Sequence, residues 1–353
     1  MKKLQSLVSL LAAGMILLSG CSQNSDKLAG DGSSGNLKLK VAVQATSGQV
    51  FQFLAEDKKF LEREGVDVEL VYINAASDAF SALSSGQVDI LSTYGTGGPL
   101  IQIANGQDFT IFGGYMLIGA TPVFARPETK YESIEDFRGK TIAIMRGGTP
   151  DLVLKGIMYD AGFDLQKDVT FVEMRRNPDV MEAVRSGQVD FGAVSTGFEL
   201  QIQEMGMRVV MWPDDLWPDH SCCRMLARSD WLKSNQDAVQ CLIRAYLRAE
   251  EIMPDNMDRV VELTSKNLDM PVETAKSFLL SPHIYYHVDP YRNSVVKMWE
   301  KMQGFGYIVN PGVKIENHID TSGYKAALDA LAKENSENEF YKKKLEEYQR
   351  HNF

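Results

Sequence analysis

The sequence predicts an α/β protein of two lobes, each a mostly parallel sheet flanked by helices. Three observations predict it. Strand-like and helix-like segments alternate along the chain, the pattern of βαβ units. The pentapeptide Ser-Gly-Gln-Val-Asp occurs twice, at 85–89 and 186–190, so that Gly86 and Gly187 lie 101 positions apart. A length of 353 residues, 44% apolar and 24% charged, suffices for two separate cores.

The elements follow in order. Lys2 and Lys3 precede an apolar run, SLVSLLAAGMILLSG, that ends at Leu18-Ser19-Gly20-Cys21. A charged start, a short apolar stretch and small residues before a cut describe an export signal. The run is too short, and wrongly flanked, for a stable membrane span. The Leu-Ser-Gly-Cys tetrad resembles a bacterial lipoprotein box, which implies cleavage before Cys21 and lipidation of its sulfur. Residues 1–20 are thus expected to be a signal peptide. Residues 21–36, polar and rich in Gly and Ser, are a flexible tether.

The folded body begins near Leu37. LKLKVAVQA (37–45) alternates as a strand, and Phe51 to Glu64 reads as one helix ending at Gly65. VDVELVYI (66–73) is the next strand. A helix then runs through Leu83 and stops at Gly86, and VDILSTYG is a strand entering a Gly-rich loop. From about Ser133 the pattern restarts. SIEDFRGKTIAIMRGGTP reads as a short helix, a turn, a strand and a loop, and DLVLKGIMYDAG as the following helix. DVTFVEM, PDVMEAVRSG and VDFGAVST then read as strand, helix and strand. Both copies of the pentapeptide therefore sit where a helix ends, glycine supplies the left-handed stop, and a buried strand begins. After Asp219 the chain reads as largely helical, ending in the charged segment ENSENEFYKKKLEEYQRHNF.

Net charge is −10 and the pI is near 5.1, which argues against a nucleic acid or an anionic membrane surface as partner. Of the four cysteines, Cys21, Cys222, Cys223 and Cys241, lipidation takes the first. The odd remainder excludes a disulfide scaffold. The Arg146-Gly147-Gly148-Thr149-Pro150 loop lacks the Gly-Lys-Ser/Thr of a nucleotide-binding P-loop, and no Cys-x-x-Cys zinc pattern occurs.

The stretches KKFLEREGVDVELV, ALSSGQVDI, SIEDFRGKTIAI, EAVRSGQVDF and ARSDWLKSNQDAVQCLIRAYLRA carry a resemblance in their order and spacing. The chain resembles periplasmic-binding-protein-like type II folds, in particular the substrate-binding lipoproteins of nitrate/sulfonate/taurine and thiamine-precursor ABC importers. The resemblance implies lobe 1 from 37–122 and 223–353, lobe 2 from 123–222, and a ligand cleft between them. It implies a monomer without catalytic residues or cofactor. That monomer is anchored on the outer side of the cell membrane by lipid alone and hands a small, anionic or sulfur/nitrogen-containing organic ligand to an ABC permease and its ATPase. The alternative class is an enzyme, since the fold also resembles thiamine-pyrimidine synthases, in which His and Cys residues hold iron. A metal- or cofactor-binding sensor is a third reading.

Ligands of open parallel sheets bind beyond the carboxyl ends of the strands, and clefts between domains are favoured pockets. In lobe 1 that selects Ser47, Gly48 and Gln49 after the first strand, and Thr93, Tyr94 and Gly95 after the third. In lobe 2 it selects Gly148 and Thr149, Asn177, and Ser195 and Thr196. Helix N-termini with free N–H groups suit an anion, although Ser, Thr and Asn are equally the ordinary helix caps. Where the chain crosses back between lobes stands Trp-Pro-Asp-His-Ser-Cys-Cys-Arg-Met (217–225). His220, Cys222, Cys223 and Arg224 join the candidate set, with His220, Cys222 and Cys223 as an optional metal trio. Alternation along an extended crossing would put Cys222 and Arg224 on one side and Ser221 and Cys223 on the other. The cysteines equally suit the role of small core residues.

Overall fold

A computed structural model describes residues 36–45, 49–310 and 312–353. The expected signal peptide, the lipidated Cys21 and the tether to residue 35 lie outside the described residues, as do Ser47 and Gly48.

Lobe 1 opens with β1 (Leu37–Val43), α1 (Val50–Asp57), α2 (Phe60–Arg63), β2 (Val66–Tyr72), α3 (Ala76–Ser84), β3 (Ile90–Leu91), α4 (Gly97–Ala104) and β4 (Phe109–Ile118). Lobe 2 follows as β5 (Val123–Ala125), β6 (Thr141–Ile144), α5 (Thr149–Asp160), β7 (Thr170–Glu173), α6 (Asn177–Arg185), β8 (Phe191–Ala193), α7 (Glu199–Glu204) and β9 (Arg208–Met211). The chain then returns through β10 (Cys223–Arg228), α8 (Ser229–Ser234), α9 (Gln236–Ile252), α10 (Met257–Asn267), α11 (Val272–Leu279), β11 (Tyr285–Tyr286), α12 (Arg292–Gly304), α13 (Ser322–Glu334) and α14 (Glu339–His351).

The strands form two sheets, ordered β11-β4-β10-β3-β1-β2 and β7-β6-β8-β5-β9. In each, only the βαβ strands run parallel: β2-β1-β3 in the first and β7-β6-β8 in the second. The strands that enter and leave the lobe crossings, β4, β5, β9 and β10, pair antiparallel. The sheets are therefore mixed, because a chain that leaves one sheet and returns to it beside its exit must reverse direction. Alternate residues feed opposite faces. Val41, Ile90 and Met225 enter one apolar cluster with α1 and α9, while Ala42, Leu91 and Leu226 enter another with α3, α4 and α12.

The expected single helix over 51–64 is two. Lys59 takes a left-handed conformation (φ 59°) between α1 and α2. The Lys58 and Lys59 amides close the first helix on Leu54 and Glu56. The break bends the chain so that Glu64, 6% exposed, reaches Arg244 and Arg248 on α9.

The repeated pentapeptide is structurally duplicated. Gly86 and Gly187 have φ of 74° and 78°. Asp89 accepts the Lys40 amide at 2.8 Å, and Asp190 accepts the Thr141 amide at 2.8 Å, each locking a helix end to the neighbouring strand. An arginine from the adjacent antiparallel strand region caps each helix: Arg228 donates to the Leu83 carbonyl and Arg126 to the Val184 carbonyl. Two copies of one βαβ joint thus build the two lobes. The lobes also share packing away from the crossings, for Leu152, Val153 and Ile157 of α5 lie in one apolar cluster with Trp299 and Met302 of α12.

Candidate functional site

The loops at the carboxyl ends of the parallel strands meet at the segment that returns to lobe 1. The Cys222 carbonyl accepts the Thr96 hydroxyl of lobe 1 at 3.1 Å and the Thr149 hydroxyl of lobe 2 at 3.3 Å. Gly95 lies in the same knot, because a β-carbon there would stand 3.0 Å from Thr149 Oγ1 and 3.8 Å from the Cys222 carbonyl. Thr196 arrives from the end of β8. A β-carbon at Gly119 would lie 2.5 Å from Cys222 Sγ, 3.0 Å from Thr196 Oγ1 and 3.1 Å from Met116 Sδ. The candidates Gly95, Thr149, Thr196, Cys222 and Cys223 are therefore together between the lobes.

Other candidates brace this arrangement. Thr93 accepts the Gln44 amide at 2.8 Å, tying the loop after β3 to the loop after β1. The Tyr94 phenol donates to the Ile73 carbonyl at 2.7 Å. Asn177 accepts the Ser195 amide at 3.2 Å, the corresponding tie in lobe 2. Gly148 caps α5 with an extended backbone, beside a loop closed by the Gly147 amide and Asp151. Gln49 is 2% exposed and donates to the Gln44 carbonyl, while its Oε1 is buried without a partner.

Three expectations about the crossing segment change. First, alternation fails: Cys222 Sγ and Cys223 Sγ lie 3.5 Å apart, and Ser221 Oγ accepts from Arg224 Nε at 3.0 Å. The β4–β10 register shifts between Cys223 and Arg224, so the backbone turns there. Second, Arg224 is a structural residue and not a ligand cation. It is 1% exposed, and its other nitrogens donate to the carbonyls of Asp289 (2.7 Å) and Met116 (2.8 Å). Third, His220 does not join the cysteines as a metal trio. Its ring is fully buried, edge-on to Trp217, with Nδ1 2.9 Å from the Trp217 carbonyl. A carbonyl only accepts, so Nδ1 carries the proton and Nε2 is a buried, unpartnered acceptor. Burial pulls the imidazole below its ordinary range, keeping it neutral at pH 7.

The two thiols are free and unequal. Cys222 is 4% exposed, and its hydrogen bond to Cys223 together with burial pushes its thiol well up. Cys223 is partly exposed. The Cys222 hydrogen bond lowers it, burial opposes, and the Gly95 amide and Arg224 charge assist the lowering. One neighbouring thiol thus supports the other as the more acidic group. Cys241 is fully buried in the α9 core, as its apolar neighbours suggest.

Sequence reasoning missed five contributors: Tyr115, Tyr286, Phe278, Trp212 and His283. Tyr115 and Tyr286 pack edge to face with each other (5.7 Å) and with Phe51 (5.8 and 6.4 Å), beside the cysteines. Phe278 of α11 rests on Gly197 of lobe 2. His283 of lobe 1 stacks on Trp212 (3.9 Å, 11°) and bonds Asp214 at 2.8 Å, bridging the lobes. Among the described residues, the grouping of three metal-ligating side chains is Asp214, Asp215 and His283. A signal did exist for Arg224. Gly113 and Gly114 inside a strand mark a close approach, and a β-carbon at Gly114 would strike Arg224 and the His287 and Asp289 carbonyls.

A surface depression of about 550 Å³, lined by Lys38, Lys40, Asp67, Glu69, Gln87 and Asp89, lies at the strands' amino ends, away from this convergence. It is a shallow charged surface and has no constellation of converging groups.

Two sheets in two lobes, joined by two crossings and meeting over strand carboxyl ends, define the two-lobed fold of periplasmic binding proteins. The chain belongs to the NMT1/THI5-like family, whose model matches residues 49–259, more than half its length. It is 25% identical over 234 residues to a putative binding protein of Brucella abortus (strain 2308), covering 64% of this chain and 71% of that one. Its fold matches the periplasmic aliphatic sulphonate-binding protein SsuA of Escherichia coli with a TM-score of 0.68, at 20% identity over 81% of this chain and 98% of that chain. It also matches the periplasmic nitrate-binding protein NrtA of Synechocystis PCC 6803 with a TM-score of 0.66, at 16% identity over 84% of this chain and 89% of that chain. Among the described residues no helix is long and apolar enough to cross a membrane.

Proposed function

We propose that this chain is an extracytoplasmic solute-binding lipoprotein. It holds a small ligand between its lobes and delivers it to a permease driven by an ATPase, without altering it. The observation that carries this reading is the convergence on Cys222, whose carbonyl takes a hydroxyl from each lobe while Thr196 and Gly95 close around it. Such a site is made only when the lobes come together, which is what a capture device needs. Lipidation of Cys21 would keep the protein at the membrane where the permease lies.

The ligand's polar contacts in this reading are hydroxyls and backbone amides, chiefly those of Thr149, Ser195, Thr196 and Gly95. Arg224, the cation the sequence offered for an anion, is held by carbonyls. Cations at the strand ends of lobe 2 are Arg146, paired with Glu173 at 3.0 Å, Arg176, paired with Asp179 at 2.7 Å, and the exposed Arg175. An anionic ligand would thus depend on Arg175 and helix N-termini. The synthase reading loses its support with the His220 trio, because the imidazole is engaged by Trp217. Mass spectrometry of the small molecules released from natively purified protein tests the proposal. A single solute recovered unchanged after prolonged incubation supports binding. A solute converted on incubation supports an enzyme.

A further inference from the structure

The convergence between the lobes is soft as well as polar. Gly119, in the first crossing, packs so closely on these groups that a β-carbon there would overlap a sulfur. That β-carbon would stand 2.5 Å from Cys222 Sγ, 3.1 Å from Met116 Sδ and 3.0 Å from Thr196 Oγ1, so these atoms are close neighbours. Cys223 Sγ is a further 3.5 Å from Cys222 Sγ. Cys223 also pairs with Met116 across β10 and β4, so two thiols and a thioether stand together as a set of sulfur donors. Thiolate and thioether donors select soft cations, Cu(I) foremost, over the hard and borderline ions that carboxylates and imidazoles favour. Among the described residues no carboxylate or imidazole joins these sulfurs, since the Asp214, Asp215 and His283 group is a separate cluster and His220 is engaged by Trp217. The buried Arg224 charge beneath the strand opposes the negative charge that two thiolates would bring.

We infer that Cys222, Cys223 and Met116 form a binding site for a soft monovalent metal, with the cuprous ion as its chemical type. On binding, each thiol loses one proton to solvent, two Cu–S bonds form, and the Met116 sulfur lends a third, weaker contact. The metal stays Cu(I), so no oxidant or reductant takes part. The inference rests on reading this cleft as the ligand site, and it names the ligand class that the cleft's sulfur suits.

The test is anaerobic titration of the full-length protein, reduced and freed of metal, with Cu(I) against a colorimetric Cu(I) chelator. One Cu(I) per chain is expected to be withdrawn from the chelator. Cys222→Ser and Cys223→Ser are each expected to weaken binding by roughly a hundredfold or more, beyond the tenfold to hundredfold typical of outer-shell changes. Met116→Leu conserves volume, so the fold should survive, and about tenfold weaker binding is expected from it. A Cys241→Ser variant should bind as the parent does. The inference is overturned if the parent fails to compete for Cu(I), if Zn(II) or arsenite is held in preference to Cu(I), or if Cys223→Ser and Met116→Leu both leave the affinity unchanged. Solution scattering separates this inference from the transport reading. Cu(I) that binds without drawing the lobes together leaves the metal site standing and removes its role as captured cargo. An organic solute that closes the lobes of a protein unable to hold Cu(I) overturns the inference and leaves the transport reading intact.

Discussion

Gly197 should act as a gate on lobe closure, and Gly197→Ala tests this with two separable costs. The residue has φ 92°, a backbone region in which an L side chain is strained. That strain, about 1–2 kcal/mol, is present whether the lobes are open or closed and should appear as lost stability. The second cost exists only in the closed form. A β-carbon at Gly197 would overlap Cδ1 and Cε1 of Phe278 and stand 2.8 Å from its Cγ. Phe278 belongs to α11 and packs against the lobe 1 core, so the ring must retreat by roughly 2 Å to restore an ordinary carbon–carbon contact. Overpacking of this kind costs about 1–3 kcal/mol. Charged to closure alone, it raises an apparent Kd by about 5- to 150-fold. The assay is hydrogen exchange of peptides spanning 194–200 and 275–284, with occupancy of the co-purified ligand read on the same samples. Gly197→Ala should exchange faster in both segments and lose ligand. Gly197→Ala/Phe278→Ala should regain ligand while keeping the stability loss. Equal exchange and occupancy in the parent and Gly197→Ala, or no recovery in the double variant, would refute the reasoning.

Further predictions concern the frame around the site. Burial raises the Glu347 carboxyl, but the His287 hydrogen bond and the Lys344 charge outweigh it and hold the group at about 2. A carboxyl held below its unfolded value of 4.5 stabilises the fold above that pH and loses its contribution as pH falls toward 2. Glu347→Gln should therefore cost on the order of 3 kcal/mol at pH 7, and the gap in urea unfolding should narrow at pH 3.5. Lys344→Met leaves Glu250 and Glu347 facing each other without their shared cation and should cost about 3–5 kcal/mol in the same assay. Gly86→Ala and Gly187→Ala should each cost about 1–2 kcal/mol. Gly86→Ala should be the worse, since its β-carbon meets Arg228 Nη1 at 2.9 Å whereas Gly187's meets Arg126 Nη1 at 3.5 Å; thermal melts rank them. Cys21→Ser should move the protein from the membrane fraction to the soluble fraction. An unmodified Cys21 in the intact mass of the membrane-bound parent would count against the anchor.

The sequence made the βαβ halves legible because their strands and helices have opposite hydrophobic periods and glycine marks each joint. Gly86 and Gly187 are the clearest cases: the same letters give the same positive φ, the same aspartate lock and the same arginine cap. The crossing strands were not legible. β4 is buried along nearly its whole length, so its residues show no alternation, and its central Gly113-Gly114 disguises a strand that makes room for Arg224. β10 hid in a stretch read as an extended crossing leading into helices, and its register shift overturned the simple alternation of Ser221 to Arg224. Strand-end logic did select Gly95, Thr149 and Thr196, and the crossing segment supplied Cys222 and Cys223; these five come together. It could not foresee that Thr93, Tyr94 and Asn177 use their polar atoms to brace loops. Phe278, Trp212 and His283 reach the cleft from segments far apart in sequence, and nothing local in their letters announces it.

Native mass spectrometry of protein isolated without denaturation tests the central claim, capture of an unaltered solute between the lobes, most directly. The account predicts one small molecule per chain, released intact on denaturation and missing from a folded Thr149→Val/Thr196→Val variant. Retention of the solute by that variant at the parent's occupancy, or its chemical conversion during incubation, would contradict the account.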